Sequence, residues 1–169
     1  NYSKLGFSSG EIEKITESTL QLALATGEDL ATSASVAGGT LRGFGLEATE
    51  MQRVVDVMAL SFSSSALDLE KFSVAMPKVA SLAASLGQSL ETTTAQLGTL
   101  SDSNIEASTS ATMLRNMFLT AKEDGFEMND ALLAISKSND KAATSMEFFD
   151  KRATTVAITL ANNIEKTKE

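Results

Sequence analysis

The stretch LEKFSVAMPKVASLAASLGQSLETTTAQLGTLSDSNIEASTSATMLR, Leu69 to Arg115, decides the fold class. Leu69, Phe72, Met76, Val79, Ala83 and Leu86 follow one another at alternating intervals of three and four residues. That spacing draws one apolar stripe down an α-helix. Gly87 supplies a residue free to adopt the left-handed conformation that ends helices, and Ser89 is placed to cap the next one. Leu90 to Leu100 reads as that next helix. After a polar turn, Ile105 leads into a third, with Met113, Leu114, Met117, Phe118 and Ala121 on its apolar side.

The same grammar extends in both directions. Upstream, a first helix follows Ser8 or Ser9, carries Ile12, Ile15, Thr19 and Leu22 on one face, and closes at Gly27. Asp29 to about Arg42 forms a second, weakened by Gly38 and Gly39, since each interior glycine costs about 1 kcal/mol relative to alanine. Gly45 ends it, with Leu46 as the hydrophobic contact of a Schellman-type turn. A third helix from Thr49 to Phe62 gathers Met51, Val54, Val55, Met58 and Phe62, and the run Ser63 to Ser65 breaks it. Downstream, Gly125 ends the helix after Ile105, and Met128, Ala131, Leu132 and Ile135 mark a short one. Asn139-Asp140 makes a turn and cap. The closing helix carries Met146, Phe149, Ala153, Val156, Leu160 and Ile164, with a break near Asp150.

These patterns predict an all-α fold: a compact multi-helix bundle of eight or nine short helices joined by Gly and Ser turns. Residues 1–169 are read as a single helical domain, with a subdivision into 1–65 and 66–169 as the alternative. The glycine turns at Gly45, Gly87 and Gly125 recur at near-even intervals. The residues around them do not match, so the recurrence is read as helix-turn-helix chemistry rather than a solenoid repeat.

Composition narrows the function. Ala, Ser and Thr together exceed a third of the chain, aromatics are 5% and Trp is absent, which predicts thin helix packing. Fourteen basic against twenty-two acidic residues give a net charge of −8. Such a surface is unsuited to neutralising phosphates, so neither nucleic acid nor an anionic membrane is expected as a partner. No apolar run approaches the ~20 residues that span a bilayer. The chain starts Asn1-Tyr2-Ser3 and ends in Glu165-Lys166-Thr167-Lys168-Glu169, and is read as a fragment of a longer one.

With no His and no Cys, Ser-His-Asp and Cys-His nucleophiles are excluded, and zinc loses its usual ligands. Glu11 with Glu13, or Glu123 with Asp124, are acid pairs near helix ends, where such residues are usually solvated or complement the helix dipole, so an active site is not expected of them. Gly43-Phe44-Gly45-Leu46-Glu47-Ala48 fits the dinucleotide fingerprint in letters only, because a helix and not a strand feeds it. Gly39-Thr40-Leu41-Arg42-Gly43 allows close helix approach or a kink. Asp102-Ser103-Asn104-Ile105-Glu106 starts like a calcium loop but has Ala107 where glycine is needed and Met113 where a bidentate carboxylate is needed. No enzyme activity and no cofactor are expected.

Six residues carry the structural expectations: Gly27, Gly45, Gly87 and Gly125 as helix-ending turns, Pro77 and Arg115. Pro77, the only proline, removes the bond to the Ser73 carbonyl and predicts a kink. Curvature around the protein's own core is the simpler reading of it, and a hinge for a partner the other. Arg115 is expected to form an ion pair with Asp102 or Glu106. The seven methionines are read as gap-filling core residues rather than a binding groove.

The run Phe72-x-x-Ala75-Met76-Pro77-x-Val79-Ala80, then Ser85-Leu86-Gly87-x-Ser89-Leu90-Glu91-Thr92-Thr93, resembles the core of phage tail tape measure proteins. The similarity continues through Ala95-x-Leu97-Gly98-x-Leu100-x-Asp102 and Ala111-Thr112-x-Leu114-Arg115. Upstream it takes in Ala25 to Leu30, Phe44-Gly45-Leu46 and Val55 to Ala59; downstream, Arg152-Ala153 and Leu160 to Asn163. From about Leu5 to Lys168 the chain is covered. Ser61 to Ser65 and Leu67, where a cap is expected, depart from the pattern.

The resemblance implies a virion structural protein of a phage or prophage, involved in tail assembly and tail length determination. It implies tail tube and tail tip proteins, tail assembly chaperones and other copies of the chain as partners. Its implied location is the tail tube lumen, after a period in the host cytoplasm during assembly. No catalytic residue belongs to this core. The alternative is a soluble helical protein-binding module, an adaptor or secretion-associated domain.

Overall fold

A computed structural model describes residues 8–165; the expected limits of the resemblance, Leu5 and Lys168, lie outside them. Within the described residues there are nine α-helices, one short 3-10 turn and no strand. The helices are α1 (Ser9–Thr26), α2 (Leu30–Gly43), α3 (Met51–Ser64), α4 (Leu69–Ser85) and α5 (Leu90–Asp102), then α6 (Ala107–Asp124), α7 (Met128–Lys137), α8 (Lys141–Phe148) and α9 (Thr154–Asn162). The 3-10 turn, Ala48–Glu50, leads into α3.

Side-chain caps start most of them. Ser8 and Glu11 form a complete capping box on α1. Asp29, Ser89 and Asp140 accept backbone N–H bonds from Thr32, Thr92 and Ala143. Asp68, one residue beyond Leu67, caps α4 through Lys71 N–H at 2.8 Å. The cap expected at the entry of the proline helix is therefore present, shifted by one residue.

The helix ends rest on left-handed residues. Gly27, Gly45, Gly87 and Gly125 have φ of 73°, 66°, 71° and 73°. At Gly45 both Schellman bonds form: Leu46 N–H to the Leu41 carbonyl at 2.9 Å, and Gly45 N–H to Arg42 at 3.0 Å. Gly87 repeats the pair through Ala83 and Ala84. A fifth left-handed turn, at Asn104 with φ 55°, ends α5 in the same way. The turn at Gly125 sends Phe126 into an edge-to-face cluster with Phe148 and Phe149, centroids 5.3 and 5.6 Å away.

The core is contiguous through the helix set. α4 packs most extensively on α6; α2 also lies on α4, and α3 on α5. α7, α8 and α9 pack on one another, and α9 reaches α5 and α6. Phe72, Met76 and Val79 of the α4 stripe are fully enclosed, and Phe72 meets Phe62 edge to face at 5.6 Å.

Two expectations are corrected. The serine run does not break α3 at Ser63: Ser63 and Ser64 stay helical, their hydroxyls donating to the Leu60 carbonyl, and the helix ends at Ser65. Met146 faces solvent, because α8 stops at Phe148 and it is Phe149 that turns inward. α4 is helical through Pro77, from Leu69 to Ser85, with the ring on the exposed face.

Candidate functional site

The described residues hold no group of three or more His, Cys, Asp or Glu positioned for a metal ion. Glu11 is spent on the α1 capping box. What the fold builds instead is a set of interhelical locks and several open clefts.

The strongest lock joins α3 to α5. Arg53 grips Glu91 with two parallel bonds, Nε to Oε1 at 2.6 Å and Nη2 to Oε2 at 2.9 Å, and its third nitrogen reaches Glu50 at 2.9 Å. Bidentate pairing of this kind is the strong form of the arginine–carboxylate contact. The guanidinium beside it holds the Glu91 carboxyl below the usual glutamate range, and Arg53 is pushed up in return.

A second lock fixes the α3–α4 connection. Ala66 N–H donates to Asp102 Oδ1 at 2.7 Å, and the Ala66 carbonyl accepts from Ser101 Oγ at 2.9 Å. The end of α5 thus satisfies both backbone groups of one linker residue. On α6, Glu106 accepts the N–H groups of Ser108 and Thr109, bonds that draw its carboxyl below the usual range. Lys78 of α4 donates to the Ser108 hydroxyl next door.

Arg115 does not behave as expected. It forms no ion pair with Asp102 or Glu106, and its side chain is exposed. The four predicted glycine turns are scattered over the bundle, each at its own helix end. Pro77 lines a cleft of about 340 Å³ between α2 and α4, with Gly39, Thr40 and Gly43 opposite. There Gly43 allows a close approach that its letters did not reveal: a Cβ on it would sit 2.7 Å from the Ala80 Cβ. Gly39 faces open space, so only one glycine of the G-x-x-x-G spacing serves close approach.

The larger cleft, about 750 Å³, opens where the ends of α1 and α3 meet the start of α4. Phe62, Leu67 and Leu69 line its floor and Leu60, 69% exposed, its rim. Sequence reasoning missed it, because the residues that build it come from three helices with no shared motif.

The whole chain, residues 1–169, matches the family described as phage-related minor tail protein. The chain belongs to that family. It is also similar to the tape measure protein of Pneumococcus phage Dp-1, 36% identical over 115 residues, which is 68% of this chain and 10% of that protein. Similarity to the probable tape measure protein of Escherichia phage P2 is 28% over 143 residues, covering 83% of this chain and 18% of that protein. The chain therefore spans less than a fifth of either relative's length. No solved structure matches it. Among the described residues of this tail protein, no helix is long and apolar enough to cross a membrane.

Proposed function

We propose that this chain is a folded, non-catalytic domain of a tail tape measure protein, acting in tail assembly while the measuring length lies elsewhere in the parent protein. Family membership supports the tail role, and the left-handed turns support the division of labour. A ruler is served by one extended helix. Here the longest described helices, α1 and α6, have 18 residues, about 27 Å at 1.5 Å per residue, before a glycine turns the chain back. In this reading the domain waits in the host cytoplasm during assembly and then lies in the lumen of the tail tube. Tube and tip proteins, assembly chaperones and other copies of the chain are its partners.

Deleting the block from Leu46 to Gly87 in the parent phage, followed by electron microscopy of the tails, tests the proposal. Failed assembly, or tails of parental length, is the expected result. Intact tails shortened by about 1.5 Å per deleted residue would defeat it.

A further inference from the structure

We propose that the cleft between α1, α3 and α4 receives a basic amphipathic helix of another protein. The proposal adds a partner chemistry to the assembly role, but rests on the cleft alone and survives if that role fails. Its floor is apolar, with Phe62, Leu67 and Leu69, and Leu60 stands at the rim with 69% of its surface in solvent. A leucine so exposed beside a partly apolar concavity offers a contact for the apolar face of a helix.

Charge decides the occupant. Glu28, Asp68 and Glu70 line the cleft, and among the described residues no lysine or arginine does. The nearest cation on α4, Lys71, is held back by Asp68 at 3.2 Å and by the Ala66 carbonyl. α1 and α3 both end at the cleft, and neither has a basic residue in its last turn, so the negative ends of their dipoles are unopposed by their own side chains. The α4 N-terminus, which also points here, is already answered by Asp68 and Glu70. Lysines or arginines flanking an apolar stripe complement this rim. A second copy of the chain, with its net charge of −8, brings like charge to it.

The probe is a fluorescein-labelled amphipathic Leu/Lys peptide, titrated into the 169-residue chain by anisotropy and mapped by amide chemical shifts. A Leu/Glu peptide of the same pattern is the control. Saturable binding of the Leu/Lys peptide is expected, with shifts concentrated at Ala25, Thr26, Ala59, Leu60 and Ser63. Leu60→Asn should weaken it at least fivefold, and Glu28→Gln with Glu70→Gln at least threefold, with a shallower salt dependence. Glu123→Gln with Asp124→Asn, outside the cleft, should change it less than twofold. These are exposed positions, so unchanged melting checks that the variants fold. Equal binding of the Leu/Glu peptide, equal effects of the two charge pairs, or shifts spread over the whole acidic surface would overturn the proposal. So would a dimer, seen by light scattering, that Leu60→Asn dissolves while leaving peptide binding intact.

Discussion

Helices α4 and α5 pack on each other yet bury themselves by different means. α4 encloses seven residues, all apolar, along a single stripe. α5 encloses nine of its thirteen, and Thr93, Thr94, Gln96, Thr99 and Ser101 are among them. α5 touches α3, α4, α6 and α9, so nearly every side of it faces protein. Its short polar side chains let neighbours come close on all sides, but they leave hydrogen-bonding capacity unmet. Thr94 Oγ1 and both amide atoms of Gln96 have no partner among the described residues. α4 supplies apolar burial, whereas α5 supplies a slim axis at a polar cost.

Each helix is also approached at a glycine, and the two approaches differ in kind. Gly43 presses on the Ala80 methyl of α4, where a new Cβ at 2.7 Å has nothing to rotate aside. Gly43→Ala should therefore destabilise by about 1–3 kcal/mol in urea unfolding, despite alanine's better helix propensity. Adding Ala80→Gly should return much of that loss, which a double-mutant cycle isolates. A Cβ on Gly98 of α5 would lie 3.0 Å from the Ser65 hydroxyl and 3.3 Å from the Ser65 Cβ, a milder overlap than at Gly43. Gly98→Ala should cost less than Gly43→Ala. Equal costs would break the contrast.

The second test addresses the polar cost directly. Gln96→Met keeps the volume and removes two buried, unpartnered atoms. It should stabilise by about 1–2 kcal/mol, read as a higher urea midpoint with an unchanged slope. A loss of stability instead would mean that Gln96 is satisfied by something bound in the core, and the slim-axis account of α5 would fail.

The same contrast explains what could be read in advance. The stripe of α4, the four glycine turns and the break at Asp150 are local chemistry, and periodicity or a single residue type announces each. α5 could be placed as a helix but not as the central one, because threonine and serine look like surface residues in sequence. The turn at Asn104 carries no glycine to announce it, although asparagine is enriched in left-handed positions. Gly43, the Arg53–Glu91 lock and the large cleft depend on residues 37 or more positions apart or on three separate helices. Nothing in one segment specifies such meetings. Arg115 failed for a related reason: proximity in sequence to two carboxylates does not bring the side chains together.

The smallest effect concerns how each helix is tied at its first turn. The α4 ion pair, Asp68 with Lys71, stays inside its own first turn. The α5 pair, Glu91 with Arg53, reaches across to α3. Because Arg53 holds the Glu91 carboxyl below its ordinary value of about 4.3, the folded chain keeps it ionised where the unfolded chain takes up a proton. Its contribution is therefore complete above the unfolded value and is lost as pH falls through the folded one. Glu106, through the N–H groups of Ser108 and Thr109, and Asp29, through the Thr32 hydroxyl and then its N–H, act in the same direction. Glu91→Gln should lower stability near neutral pH by less than about 1 kcal/mol, since the pair is partly solvated. The gap from the parent chain should close as acid is added, because the parent loses the same interaction. A gap that stays constant with pH would assign the Arg53–Glu91 contact to shape rather than charge, and would leave α5 held to α3 by close packing alone.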